Sequence, residues 1–360
     1  MSVDFEISHL PKNLQKAIHA IAKQIKTGAV KAETNLPSVR VFSEILQFNR
    51  QTTWLALKEL ENQKWLTAQK NGRYRLSDSV QQLVFKSMSV TMVTNGSAYI
   101  RFPRHQELFF RLQQQLKAID IELQLEVYNS LNDNIDYQKL EEKDLILLTG
   151  DVSEVFERIK NSPCKIMGLN VDYAMKCSHI INPDSFKSGQ EAARHANKST
   201  VKKAAIVSFS RDNNKPWIHK ELRYEGFKHI WMESGNLLQD LTRIEVLESK
   251  NYLNDANHLH KEISKHSDAE LFFCLDERSS IIVTNSLDNL GKKVPHDTQV
   301  IGYDVTEISR FSNLSISGFE QNFVEMANQT IHVIQNDLEK EVFDKIHVDL
   351  VHRETTQNKR

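Results

Sequence analysis

The sequence has little of what most extracellular, membrane and catalytic classes require. It holds three cysteines, Cys164, Cys177 and Cys274, in 360 residues. They are too few and too scattered for a disulfide framework or a zinc knuckle, and fit free thiols buried in a reducing cytoplasm. No stretch approaches the ~18 apolar residues that a membrane span needs. The opening residues, MSVDFEISHLPKN, show no basic segment followed by an apolar one. No secretory signal is therefore expected, and a cytoplasmic location is. A glycine-rich phosphate loop, a G-x-S-x-G elbow and a His-x-x-x-His pair are all missing. His258 and His260 stand two apart, a spacing that points them to different sides of a helix. No catalytic residue, metal or cofactor is expected.

What is present is an ordinary globular composition, 40% hydrophobic and 26% charged, with length for two or three domains of ~150 residues. The formal net charge of −1 hides an asymmetry. Residues 1–78 carry 12 Lys/Arg against 7 Asp/Glu, a balance of +5; residues 79–360 carry 34 against 40, a balance of −6. A small basic head on an acidic body points the head toward a polyanion.

The head reads as three helices and a hairpin. Leu10, Leu14, Ile18, Ile21 and Ile25 recur at helical spacing over 11–27, and Gly28 supplies a stop. Pro37 cannot lie inside a helix, whereas Ser38 is a good N-cap for a helix over about 39–46. Asn49 caps a third helix over about 50–63, with Ala56, Leu57 and Leu60 as its core stripe. Two short extended segments, WLTAQ and RYRLS, then flank Lys70, Asn71, Gly72 and Arg73, and Asn-Gly in that setting is a strong hairpin signal. Two helices joined tightly can place the second in a major groove, with the hairpin beside it. Asn49, Arg50, Gln51 and Thr52, at the start of the third helix, are donors and acceptors suited to phosphates and base edges. Arg40, Lys70 and Arg73 add positive charge, and Ser38 and Gly72 complete the candidate DNA-contact set.

These residues resemble the GntR family of bacterial regulators over roughly 8–77. The matching pieces are Gly28, Leu36-Pro37-Ser38-Val39-Arg40, Asn49-Arg50-Gln51-Thr52, Ala56-Leu57 with Leu60, and Gly72. The resemblance implies a winged helix-turn-helix in which Arg40, Arg50, Thr52 and the hairpin tip touch DNA. Two departures stand out. Asn49 replaces the usual Ser, which is conservative for a cap. Trp54 stands where an Arg is common, so one contact is lost or replaced by apolar packing.

The rest of the chain, after a linker over 79–87, alternates strands and helices. Extended segments at 88–94, 122–128, 144–150 and 165–171 interleave with helices at about 104–118 and 152–161. The alternation restarts with a helix at about 186–198. Strands follow at 204–209, 242–247, 270–275 and 298–304, and helices at 219–234, 254–265 and 278–290. Such alternation means parallel sheets covered by helices. Two α/β lobes in tandem leave a cleft at the carboxyl ends of their strands, where ligands sit in such folds. The expected lobes are 88–180 with 308–330, and 182–305 with 331–356.

The landmarks of this body are Asp184-x4-Gly189, Arg223-Tyr224-Glu225-Gly226-Phe227, Asp276, Gly291-x2-Val294-Pro295-x-Asp297, Val300-Ile301-Gly302-Tyr303-Asp304, Gln321, and Arg353-Glu354-Thr355-Thr356. They resemble the sugar-binding sensor of the LacI family and its type I periplasmic-binding-protein relatives from about 88 to 356. A GntR-like head on a LacI-like sensor also resembles regulators of the arabinose-repressor type. The resemblance implies that Arg223 and Asp304 clasp ligand hydroxyls from one lobe, that Asn170 holds a position where Asp is common, and that Gln321 is a polar group at the hinge side. Thr94, Asn95 and Tyr99 follow the first strand and are expected to face the cleft. Trp217 either stacks on a sugar face or packs. Asp276 joins the candidate ligand set, although its counterpart in relatives is structural. Arg223 has a competing reading as the partner of Glu225 or Asp212, and Asp304 as a helix cap. Leu275, where many sugar-binding relatives place Asn, points to a ligand with a methyl or deoxy carbon.

The function expected from this reading is a repressor of sugar-utilisation genes. Its partners are double-stranded operator DNA, a small effector that is a sugar, and a second copy of the chain, with no membrane. A purine or sugar phosphate is the alternative effector. A transport binding protein or an enzyme on the same α/β body is the alternative class, since fold alone does not choose function.

Overall fold

Hydrophobic periodicity builds the first part of the molecule. The computed structural model describes residues 7, 9–26, 36–69, 73–77, 88–96, 103–119, 121–129, 135–210, 217–249, 251–336, 338 and 340–356. Helix α1 (Lys12–Lys26) forms where the Leu/Ile repeat lies, and Ile18, Ile21 and Ile25 are fully buried. Helix α2 (Val39–Leu46) starts at Ser38, whose side chain accepts from the Val41 N–H, and ends where Gln47 takes a left-handed φ of 55°. Helix α3 (Arg50–Asn62) buries Thr53, Ala56, Leu57 and Leu60. Strands β1 (Leu66–Ala68) and β2 (Tyr74–Leu76) pair antiparallel, Leu66 opposite Leu76 and Ala68 opposite Tyr74. Their buried members Leu66, Tyr74 and Leu76 join Trp65, Leu36, Phe42 and the three helices in one core. The order helix, helix, helix, hairpin is therefore as expected. Lys70 and Gly72, expected at the hairpin tip, and the expected linker over 79–87 lie outside the described residues.

By contacts the chain separates into two units, the first running through Val90 and taking in 113–123. The α/β body begins with β3 (Val90–Asn95), α4 (Pro103–Lys117), β4 (Leu123–Tyr128), α5 (Tyr137–Glu141), β5 (Leu145–Thr149), α6 (Ser153–Ile159), β6 (Lys165–Leu169) and β7 (His179–Pro183). It continues with α7 (Ser185–Lys198), β8 (Ala204–Ser210), α8 (Ile218–Glu233), β9 (Leu241–Leu247), α9 (Tyr252–Lys265), β10 (Leu271–Cys274), α10 (Glu277–Asn289), β11 (Gln299–Tyr303), α11 (Glu307–Arg310) and β12 (Ser317–Phe319). Helix α12 (Phe323–Asn336), β13 (Val342–Ile346) and β14 (Leu350–Val351) complete it. One six-stranded sheet has the order β13-β7-β6-β5-β3-β4, the other β14-β12-β11-β10-β8-β9. Central strands such as β5 and β10 are buried throughout, which is why they read as unbroken apolar runs rather than alternating ones.

The sheets correct the expected lobe boundaries. Strand β12 pairs parallel with β11, Ile301 opposite Ser317, so 308–320 belongs to the second lobe and not the first. Strand β13 pairs parallel with β7, Val342 opposite His179, so the segment carrying it belongs to the first lobe and not the second. Strand β14 then returns to β12. The chain thus changes sheets around 183–185, 319–323 and 346–350. The physical reason is that Ser317–Phe319 is a short, fully buried segment whose backbone extends the parallel row beside β11, while Ser317 is held by Thr355, Thr356 and Arg353.

Helices α7 and α8 approach very closely. A side chain at Gly189 would press into the Arg223 carbonyl, and one at Gly226 into the Phe186 carbonyl. That pair of glycines seats the backbone from which Arg223 projects.

Candidate functional site

In the first unit, side-chain caps hold α3 by its exposed end. Asn49 Oδ1 accepts from the Thr52 N–H at 2.7 Å, and Thr53 Oγ1 donates to the Asn49 carbonyl at 3.0 Å. Arg50, Gln51, Trp54, Leu55 and Lys58 are exposed along one face of α3, opposite its buried stripe. Arg40 is exposed on α2 and pairs with Glu44 at 3.1 Å, a surface pair worth at most ~1 kcal/mol. Arg73 is exposed at the entrance to β2. Ser38 and Asn49, expected at a DNA surface, serve first as caps whose oxygens are already engaged by backbone N–H groups.

In the body, residues from distant parts of the chain meet where the sheets exchange the backbone. Asn170 follows β6 and Asp304 follows β11, both in left-handed backbone, at φ 54° and 60°. Both are buried. Gln321 links them: its Oε1 accepts from Asn170 Nδ2 at 3.3 Å, and its Nε2 donates to Asp304 Oδ1. Asp304 does not cap the next helix, because Thr306 does so through Ile308 N–H. A recess of about 490 Å³ opens beside Asp304 and Gln321, bordered also by Glu107 of α4 and by Arg310 and Glu320.

Arg223 is buried, only 4% exposed. Its guanidinium lies 3.3 Å from the centre of the Tyr303 ring, and Nη1 donates to the Leu275 carbonyl at 2.7 Å. Cation–π contact and planarity favour Arg over Lys there. Arg223 Nε is buried without a hydrogen-bond partner, a cost of roughly 1–3 kcal/mol that an acceptor atom would relieve. No ion pair joins Arg223 to Glu225, which instead pairs with Lys228; Asp212 lies outside the described residues. Burial pushes the Tyr303 phenol up, while the Arg223 charge opposes the shift.

The remaining expected positions divide. Thr94, at the end of β3, is buried and its hydroxyl has no partner. Asn95 donates to the Asp151 carbonyl at 3.2 Å. Tyr99 lies outside the described residues. Trp217 immediately precedes α8, half-buried, its ring 6.1 Å from that of His219. Asp276 is engaged within the protein. It caps α10 through the Ser279 N–H at 2.8 Å and pairs with Lys220 at 2.7 Å. Burial alone would raise its carboxyl, but Lys220 and the cap bonds outweigh that and hold it below the ordinary range. One of its oxygens thus holds the helix start and the other the Lys220 ammonium.

Sequence reasoning passed over two residues. His219, buried, places Nε2 2.9 Å from the Val171 carbonyl and Nδ1 3.2 Å from Ser185 Oγ. A carbonyl only accepts, so Nε2 carries the proton, and the bond ties α8 of the second lobe to the loop after β6 of the first. The signal was available, since His219 and Arg223 stand four apart on one helix. Tyr303, the platform under Arg223, lies inside the motif that ends in Asp304. Among the described residues no three His, Cys, Asp or Glu side chains converge to hold a metal, and no helix is long and apolar enough to cross a membrane. Cys177 is buried, its thiol pushed up to about 12.

Residues 193–356 match the periplasmic binding protein-like domain family. The chain is 24% identical over 156 residues to the HTH-type transcriptional repressor PurR of Haemophilus influenzae, covering 43% of this chain and 44% of that protein. It thus spans less than half the length of the curated relatives it matches. Among solved structures, the transcriptional regulator CelR–cellobiose complex aligns with a TM-score of 0.61 at 11% identity, over 89% of this chain and 100% of that one. A LacI family transcriptional regulator from Enterococcus faecium with bound ribose aligns at 0.58 and 17% identity, over 74% and 98%. Transcription regulator CcpA of Lactococcus lactis aligns at 0.60 and 15%, over 75% and 100%. These likenesses establish that the body has the two-lobed, parallel-sheet architecture of periplasmic binding proteins.

Proposed function

We propose that the chain is a cytoplasmic transcription repressor: a winged-helix head of the GntR type reads double-stranded operator DNA, and a LacI-like body senses a small sugar. The carrying observation is that one chain joins an exposed face of α3 bearing Arg50, Gln51 and Lys58 to a body whose hinge-side residues Asn170, Gln321 and Asp304 form a continuous hydrogen-bonded chain. The helix–helix–helix–hairpin order and the +5 balance of residues 1–78 support the first half. Arg223 with its unmet Nε–H, and the Asp304 carboxylate, support the second, because a sugar hydroxyl both accepts and donates. The named relatives with cellobiose and ribose favour a carbohydrate; the PurR relative keeps a purine as the second reading.

In this reading two copies associate and place two heads on a two-fold symmetric operator. The effector changes DNA affinity only through unequal affinity for two lobe arrangements, typically ~1–3 kcal/mol of coupling. The test is to select duplexes from a randomised library with the full chain, then measure binding with and without pentoses, 6-deoxyhexoses, sugar phosphates and purines. One compound is expected both to raise the melting temperature and to change operator affinity by about 5–150-fold. A chain that selects no duplex, or that carries bound pyridoxal phosphate with the matching absorbance, defeats the proposal.

A further inference from the structure

We propose that Trp54 is a specificity-determining residue of the reading head, its indole packing on the C5-methyl of a thymine in the major groove. The inference rests on the DNA-reading function proposed above and deepens it.

Trp54 is 43% exposed and Leu55 40%. Neither belongs to the head's core, which is closed by Ala56, Leu57, Leu60 and Trp65. The indole is therefore not taken up by packing inside the head. Instead the indole sits in the middle of the stripe at 50, 51, 54, 55 and 58. Arg50 stands one turn before it, and the Lys58 ammonium lies 4.9 Å from its ring centre one turn after. Arg50 and Lys58 form no ion pair with the described residues, and the acid nearest this face, Glu61, is only part-exposed beyond Lys58 at the end of the helix. An apolar spot bracketed by cations fits a polyanion that projects an apolar group. In a major groove that group is the thymine methyl, which side chains of this kind read by contact. Helix α2 differs. Its exposed Val41 and Ile45 lie among Arg40 and Glu44, which neutralise each other, so that face has no matching charge signature.

The test uses the full chain and a duplex obtained by selection from a randomised library. Each thymine is replaced in turn by deoxyuridine, which keeps the base pair and removes only the methyl. Binding should weaken about fourfold at one thymine in each repeat of the recognised motif, the value of one buried methyl. Trp54→Ala should bind the parent duplex at least as much more weakly and no longer register that replacement. Trp54→Phe should restore sensitivity to it. If Trp54→Ala retains every deoxyuridine penalty, the inference is wrong while DNA reading stands. It is equally wrong if Trp54→Ala alters the sedimentation of the DNA-free chain without changing the deoxyuridine pattern, since the indole then serves a protein contact. If selection yields no preferred duplex, the DNA-reading function falls and takes this inference with it.

Discussion

The head and the body place their functional residues by opposite means. In the head, Arg50, Gln51, Trp54 and Lys58 share one exposed helix face, set by a repeat of 3.6 residues and one Asn cap. In the body, Asn170, Asp304 and Gln321 come from segments up to 151 residues apart and are joined by side-chain hydrogen bonds at the crossing between two sheets. The head's chemistry is local and open to solvent. The body's chemistry is assembled and largely hidden, so it inherits every fault in the packing around it.

The largest expected effect tests that dependence. Gly189→Leu forces a side chain into the Arg223 carbonyl, so calorimetry should show the body losing on the order of 3–5 kcal/mol or failing to fold. The transition of the head should stay in place. An unchanged body transition would mean that α7 and α8 do not meet as described.

Arg223→Ala comes next. Removing the cation over Tyr303 should weaken effector binding about 10–100-fold, the worth of a hydrogen bond to a charged group, while operator binding by the unliganded chain persists. Arg50→Ala should give the mirror image, with operator binding weakened about 5–100-fold and effector-induced thermal stabilisation retained. A single variant that loses both activities would break the comparison.

Asn49→Ala should cost about 1 kcal/mol of head stability by freeing the Thr52 N–H, read as a lower melting temperature of the head alone.

The smallest effect concerns pH. His195 and His352, with ring centres 5.0 Å apart, are both held below the ordinary imidazole value, first by burial; the nearby Lys198 charge adds to this in each, and in His195 the bond to Gln299 opposes it. Because their folded values are lowered, the stability they contribute is complete above the unfolded value near 6.5 and is lost as pH falls through the folded values. The body's melting temperature should therefore fall on acidification below about 6.5, and His352→Gln should flatten that slope. A slope unchanged in the variant would assign the acid sensitivity to other groups.

The head was legible almost to the residue. The spans expected at 39–46 and 50–63 appear as Val39–Leu46 and Arg50–Asn62, because each is set by an N-cap and a core stripe that the chain states locally. In the body the strands were legible as apolar runs, but their sheet membership near 308–346 was not. Ser317–Phe319 and Val342–Ile346 carry no mark saying which lobe they complete. Asp276 and Asp304 show the same limit. Both are acids that follow apolar strands, yet one is consumed by Lys220 and a helix cap while the other meets Gln321. His219 and Tyr303 were overlooked for a related reason, since their roles exist only in partners 48 and 80 residues away.

By itself the sequence determined the helices and hairpin of the head, the face of α3 that meets solvent, and the parallel α/β character of the body. These depend on periods of 3.6 residues, on caps and on continuous apolar runs, all of which act over a few neighbouring positions. Only the tertiary structure decided how the C-terminal strands divide between the sheets, which acids remain available, and how Tyr303 and the Leu275 carbonyl hold Arg223 with one N–H unmet. Those outcomes depend on burial and on pairing between remote segments, where the free energy of a polar group is set by neighbours that its own stretch of chain does not contain.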